Sequence, residues 1–472
     1  MPRNVLIISV SGGSVYNTTD DASHSLLANG AHALAVNPFA IQSVAAFRNL
    51  WYVDGTNYKY VVGDTATVKD WEADMEDGTA LPSDNDPVAA TSSSSSEAAG
   101  ANKARLIDIY RGRIVLAGTV NDPQNWHMLK VDNPLNNDVS PPQLEDTRAV
   151  SGNNSRVGLC PDAITGIIPW SDDTLFFGCD HSIWMMRGDP ASGGSLDRLS
   201  NQTGMAWGRA WCQDPRQIVY FFGSSGIFRM SSNGQMDNLT KNRLDKFIES
   251  VDLTRDHIQM QWNRVQKQCH IFITKTLSIS SSSSENISSS SSNLIPLTMA
   301  ATETTHLVWD ERTDSFWFDQ YPVPFGPVSS WVYDADNPED RKVLIGCWDG
   351  RLRKLDKDAV NDDTYKISTH VDYPPINLGG LSSDTMMSKI YNVMSAQSNE
   401  VSVEIRTGTS AEVALASSPV YTGQWAGAST LNVIRQRIKG NTVVLRITHA
   451  IKDQRWAVEK IERETQLAHL TR

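Results

Sequence analysis

All-β is the fold class this sequence predicts, on three observations. A short apolar strand ending in glycine recurs four times, as Val115-Leu116-Ala117-Gly118, Leu175-Phe176-Phe177-Gly178, Tyr220-Phe221-Phe222-Gly223 and Val343-Leu344-Ile345-Gly346. Second strands follow these after a turn, as in Ser182–Met186, Gly226–Met230 and Gly350–Leu355, so the units are hairpins. Helical periodicity is thin: residues 237–252, with Leu239, Leu244, Phe247 and Ile248 at mixed spacings of three and four, form the one good helix candidate.

The first three glycines are 60 and 45 residues apart and the fourth follows after 123, room for one longer or two ordinary units. Units of about 40 to 50 residues with short strands are the pattern of propeller blades. Within the long gap lie Cys269–Thr274 and the hairpin His306–Phe318, and upstream Leu50–Gly55 and Tyr58–Gly63 form another hairpin. The expectation is a β-propeller of about six or seven blades over residues 41–360, preceded by a segment 1–40 packed on it or on a neighbour. Asn233-Gly234 and Asp349-Gly350 supply tight-turn dipeptides.

Residues 91–97 and 279–293 hold serine blocks that cannot pack a core and are expected as exposed loops. From about residue 365 alternating strands take over, among them Val401–Arg406, Asn432–Ile438, Val443–Thr448 and Trp456–Ile461, with Lys439-Gly440-Asn441 as a turn. One buried and one wet face predict a C-terminal antiparallel β-sandwich or barrel over 365–472 for ring assembly or docking.

With 472 residues and 40% apolar content the chain is long enough for two or three packed units. The formal charge of −12 argues against a broad basic face that coats nucleic acid. Five isolated cysteines without a CxxC pair exclude a disulfide framework and a zinc knuckle, and read as buried thiols. The N-terminus is poor signal-peptide material, and no apolar run approaches the ~18 residues of a spanning helix.

Chemistry is hard to place. Asp70, Glu72, Asp74, Glu76, Asp77, Asp84 and Asp86 cluster without the ligand register of a calcium loop and read as a solvated negative face. Ser9-Val10-Ser11-Gly12-Gly13 only loosely imitates a nucleophile elbow, and Asp20, Asp21, Ser23 and His24 are neighbours in sequence without triad geometry. His24, His32, His127, His181, His257, His270 and His306 show no metal-ligand spacing, and no phosphate-cradling glycine loop occurs. No catalytic, cofactor or metal residue is therefore assigned. Of the fourteen tryptophans most fall in the blade region, where wedge packing explains them and a sugar-binding platform is the rival. Arg435, Arg437 and Arg446 are expected to project from one wet face, either for nucleic-acid contact or for docking onto an acidic neighbouring copy or another acidic protein.

Tyr110–Gly118, Asn121–Trp126, Ile164–Trp170, and Leu175–Gly178 running through Ser182-Ile183-Trp184 to Gly188-Asp189-Pro190 resemble the propeller-bearing tail proteins of short-tailed bacteriophages. The pattern matches sharply over 104–230 and in style over 40–460; the N-terminal segment and the serine blocks have no counterpart in it. The resemblance implies a structural virion protein: a ring, typically hexameric, at the distal tail, below the head-tail adaptor and beside fibres or spikes. It implies a nozzle that retains and then conducts double-stranded DNA, assembled in the host cytoplasm and carrying no catalytic residue or cofactor. A receptor- or glycan-binding propeller is the alternative, with exposed aromatic pockets. A propeller glycosidase, with two carboxylates over a pocket, comes third.

Overall fold

The structure, a computed structural model, describes residues 7–18, 24–35, 38–71, 103–137, 146–231, 234–278, 299–321, 325–333, 341–356, 358–378, 383–428 and 430–470. Both serine blocks and the acidic residues 72–86 lie outside the described residues. The chain divides into two compact units, Met1–Leu355 and Asp356–Arg472. It is an all-β protein of antiparallel sheets, and among the described residues no helix is long and apolar enough to cross a membrane.

In the first unit seven sheets succeed one another. Sheet I (7–26) has three strands, sheets II (42–70), III (106–151), IV (164–200), V (211–238) and VI (257–320) have four each, and sheet VII (327–354) has three. Strands pair in chain order within each sheet, because short turns leave each strand beside its predecessor. The long gap between glycine-ended strands is thus taken up chiefly by one extended sheet, VI.

First strands of successive sheets lie side by side: Gln42–Ala46 on Leu106–Tyr110, that strand on Ile164–Ser171, then Trp211–Gln213 on His257–Asn263, and that on Pro327–Tyr333. Sheets IV and V share an apolar cluster with Phe176, Ile183, Phe221 and Phe228, and sheet I packs Val15, Leu27 and Leu34 on Tyr52, Val61 and Val68 of sheet II. Phe39, just before sheet II, stacks on Trp348 of sheet VII at 5.1 Å.

The recurrent glycine has a steric cause. A Cβ on Gly178 would sit 2.5 Å from Met205 Sδ, and one on Gly118, which has φ +73°, would sit 2.9 Å from Trp207. Gly223 faces the Gly204 carbonyl oxygen at 2.9 Å in the same way. Three glycine-ended strands thus admit one segment, 203–207, that crosses over their ends. Gly178→Ala is expected to destabilise the first unit by about 1–3 kcal/mol through overpacking, read as a lower urea midpoint at unchanged slope.

The helix expected over 237–252 is shorter. Met236–Asn238 is a strand and only Asp245–Glu249 is helical. The Asn238 side chain accepts from the backbone N–H of Thr240 and Lys241, a turn that competes with helix initiation. All five cysteines are free and buried, and Cys212 and Cys269 bring their sulfurs to 3.4 Å across sheets V and VI.

In the second unit Thr369–Asp372, Thr442–His449, Val401–Gly408 and Tyr421–Trp425 form one sheet, which Ile376–Asn377 joins. Ser383–Met394, Leu431–Ile434, Ile438–Lys439 and Val458–Leu470 form another. One apolar cluster, with Met387, Ile390, Val403, Trp425 and Ile447, is built from both.

The expected strand Asn432–Ile438 is interrupted, and the strands Ile438–Lys439 and Thr442–His449 on either side of the turn belong to different sheets. Arg435-Gln436-Arg437 is irregular and exposed, and ends the first strand. Arg446 stands in the other sheet, held by both carboxylate oxygens of Asp372, so the three arginines do not share a wet face.

Candidate functional site

The first strands of sheets II, III and IV and the segment leading into sheet V surround a cavity of about 10 Å³, room for one water. Its polar lining is Gln42, Asp108 and Arg209, with Trp211 beside them. Segment 203–210 is pinned on several sides: Met205 N–H donates to the Cys179 carbonyl, Gly208 N–H to Thr165, and Ala206 N–H to Phe222. Arg209 Nη2 donates to the Ser43 carbonyl at 3.2 Å, and Nη1 lies 2.9 Å from Asp108 Oδ2. Burial pushes the Asp108 carboxyl up from its usual range, and the Arg209 guanidinium pulls it back. Chemically the arrangement is a plug: a compensated ion pair closes the space between the inner strands.

A second constellation joins sheets III and IV. Arg111-Gly112 turns the hairpin Leu106–Ala117, with φ +48° and +69°. That turn sends Tyr110 and Arg113 out as a directly paired couple. Tyr110 Oη donates to the Gly188 carbonyl at 2.8 Å. Arg113, with its side chain 0% exposed, lies 3.5 Å from Asp189 Oδ2 and donates to the carbonyls of Leu129, Asp146, Thr147 and Arg148. Arg111 pairs with Asp173 at 2.9 Å. Burial draws the Arg113 guanidinium down and Asp189 opposes it. The arginine-glycine-arginine and glycine-aspartate-proline stretches, far apart in sequence, are one clasp.

The other sequence candidates are scattered. Ser9 Oγ bonds Thr18 Oγ1, which also meets His24 Nδ1, while Asp20, Asp21 and Ser23 lie outside the described residues. Asp70 pairs with Lys59. Asp349, next to Trp348, accepts from Arg351 N–H and from both terminal nitrogens of Arg353, and so locks a turn. Trp51, Trp126, Trp262, Trp309 and Trp425 are buried, whereas Trp317 and Trp331 are exposed. Among the described residues no group of three or more His, Cys, Asp or Glu side chains is placed to hold a metal ion.

Sequence reasoning missed a pairing. His270 and His306, which are 36 residues apart, are hydrogen-bonded ring to ring at 2.9 Å, with Tyr321 Oη 2.9 Å from the outer nitrogen. It also missed the Asp-x-Arg turns: Asp214 holds Arg216 and Asp310 holds Arg312, each through the backbone N–H and the guanidinium. That spacing was visible as a recurring signal.

No protein-family model matches the chain, and no curated protein sequence matches it. Among solved structures it is similar to the extracellular domain of a hybrid two-component system of B. thetaiotaomicron, at TM-score 0.42 and 10% identity over 93% of this chain and 47% of that one. It is similar to the extracellular domain of a one-component system of the same organism, at 0.42 and 9% over 97% and 55%. YCF48 of Cyanidioschyzon merolae follows at 0.33 and 10% over 56% and 78%. The chain spans about half the length of the two bacterial domains. Likenesses this distant carry no argument about function.

Proposed function

We propose that the chain is a structural virion protein of a short-tailed bacteriophage, a β-propeller of about six or seven blades with a C-terminal β-sandwich. In this reading copies close into a ring-shaped tail nozzle, typically six, through heterologous contacts, and double-stranded DNA is held and then conducted along the ring axis. The partners are a second copy, the tail adaptor, fibres or spikes, and the duplex; no catalytic residue or cofactor is assigned. The observation that carries the reading is the clasp. The stretches Tyr110–Arg113 and Gly188–Asp189, both within the 104–230 region that carries the resemblance, meet through Tyr110 Oη and the Arg113 guanidinium. They therefore act as one structural feature.

A glycan- or receptor-binding propeller is the second reading, favoured by the exposed rings of Trp317 and Trp331. Electron microscopy of the purified protein, alone and with tail components, tests both. A six-fold annulus with an open lumen is the expected result. A monomer, or a trimer with a solid centre, overturns the nozzle and transfers the assignment to the second reading.

A further inference from the structure

The sheet contacts from I–II through V–VI are filled by apolar side chains. The contact between VI and VII differs. Its apolar part is small, Phe272 with Val343, Ile345 and Cys347. Strand alternation places His257, Gln259, His270, Thr274, Thr304 and His306 on the same face of sheet VI, all of them buried. Hydrogen bonds rather than packing hold part of this seam: His257 Nε2 meets the Val328 carbonyl at 2.8 Å and Thr274 Oγ1 donates to the Pro327 carbonyl at 2.9 Å. Four buried atoms here, His257 Nδ1, His270 Nε2, Thr304 Oγ1 and Ser330 Oγ, have no hydrogen-bond partner among the described residues. Such orphans in a native interior call for an explanation, and a contact that separates readily supplies one.

We propose that the contact between sheets VI and VII is an acid-opened seam, with the His270–His306 pair as its trigger. The ring-to-ring bond uses one N–H and one lone pair. A first added proton leaves charge on the pair beside Asp319, whose Oδ2 is 3.4 Å from His306 Nδ1, and turns His270 Nε2 into a buried N–H without an acceptor. A second proton sets two N–H groups face to face at the same 2.9 Å, which breaks the bond. Water in the open seam accepts a hydrogen bond from each of these N–H groups and lets the imidazoles stay protonated, so opening binds more protons and falling pH favours it.

The groups facing the pair decide the balance. Within sheet VI they are His257 on the first strand, Asp310 on the third, already held by Arg312, and Asp319 on the fourth, with Tyr321 just after it. From sheet VII they are Cys347 and the neutral Ser330. Among the described residues only Asp319 is positioned to stabilise an imidazolium, and its side chain is half exposed. Burial, and next the neighbouring imidazole, hold His270 well below the usual histidine range, which agrees with a closed seam that resists protons.

Hydrogen exchange on the full chain tests this at about pH 7.5 and pH 5, corrected for intrinsic rates. Amides of the strands Gln268–Ser278 and Pro327–Tyr333 are expected to exchange at least ~10-fold faster at the lower pH, while sheet V changes far less. In His270→Phe/His306→Phe the difference between the sheets falls to the smaller part that His257, in the same seam, supplies. Equal acceleration of all sheets in the wild type overturns the proposal, and this arm stands alone if the double variant does not fold. An undiminished local effect in a folded double variant overturns it as well.

Discussion

Replacing Arg113 with methionine is expected to cost the first unit about 3–5 kcal/mol, the range for removing one member of a buried charge pair. The guanidinium is fully enclosed and serves four backbone carbonyls in addition to Asp189. Methionine fills much of the volume, yet it leaves these acceptors and a carboxylate facing an apolar chain. The segment 146–148 loses its tether, and with it the lead-in to the strand Val150–Ser151. Urea unfolding of Arg113→Met measures the loss. Asp189→Asn, which keeps an acceptor for Arg113, should cost much less, and the double variant little more than Arg113→Met alone. A loss below about 1 kcal/mol for Arg113→Met would remove the clasp from any account of stability.

Acid is expected to weaken the first unit well above the carboxylate range. Burial pushes His127 down from 6.5 to about 4, and His257 to about 4 as well despite its bond to the Val328 carbonyl. The unfolded chain takes up a proton at each below about pH 6.5, and the folded chain refuses it until about pH 4. Stability is therefore level above that window and falls through it as pH drops. At 1.36 kcal/mol per unit the loss is about 3 kcal/mol for each histidine. Denaturation midpoints between about pH 7 and pH 4.5 check this, and His127→Gln should shallow the slope. A flat midpoint across that range would mean that the imidazoles are hydrated in the native state. Below the window Asp349, whose carboxyl is held under the usual range, adds a further loss to the first unit, as Asp372 does to the second.

The strands were legible because their signals are local. Leu175–Gly178 lies within Thr174–Cys179, Tyr220–Gly223 within Val219–Gly223, and Val343–Gly346 within Lys342–Cys347. Apolar runs closed by glycine and a turn dipeptide need no distant partner to be recognised. Sheet membership was not local: Ile438–Lys439 and Thr442–His449, adjacent in sequence, answer to different partners, Ser383–Met394 and Val401–Gly408. The interior polar groups were illegible for the same reason. Arg113 finds its acceptors up to 35 residues away and Asp189 at 76, and nothing in the spacing of His270 and His306 announces that their rings touch. The one distant pairing within reach was the clasp, because both of its halves belong to motifs already conspicuous as text.

The segment that plugs the inner strands also imposes an order in time. Arg209 reaches the Ser43 carbonyl across 166 residues of chain, and Asp108 has its countercharge on the same side chain. A nascent chain emerging from the ribosome can pair the hairpins of sheets II to IV early, but their convergent ends stay open and wet until residues 203–210 arrive to lie across them. Sheets II to IV are thus committed to wait for the segment that follows them, and the interval is when their glycine-ended strands are most exposed to the wrong neighbour.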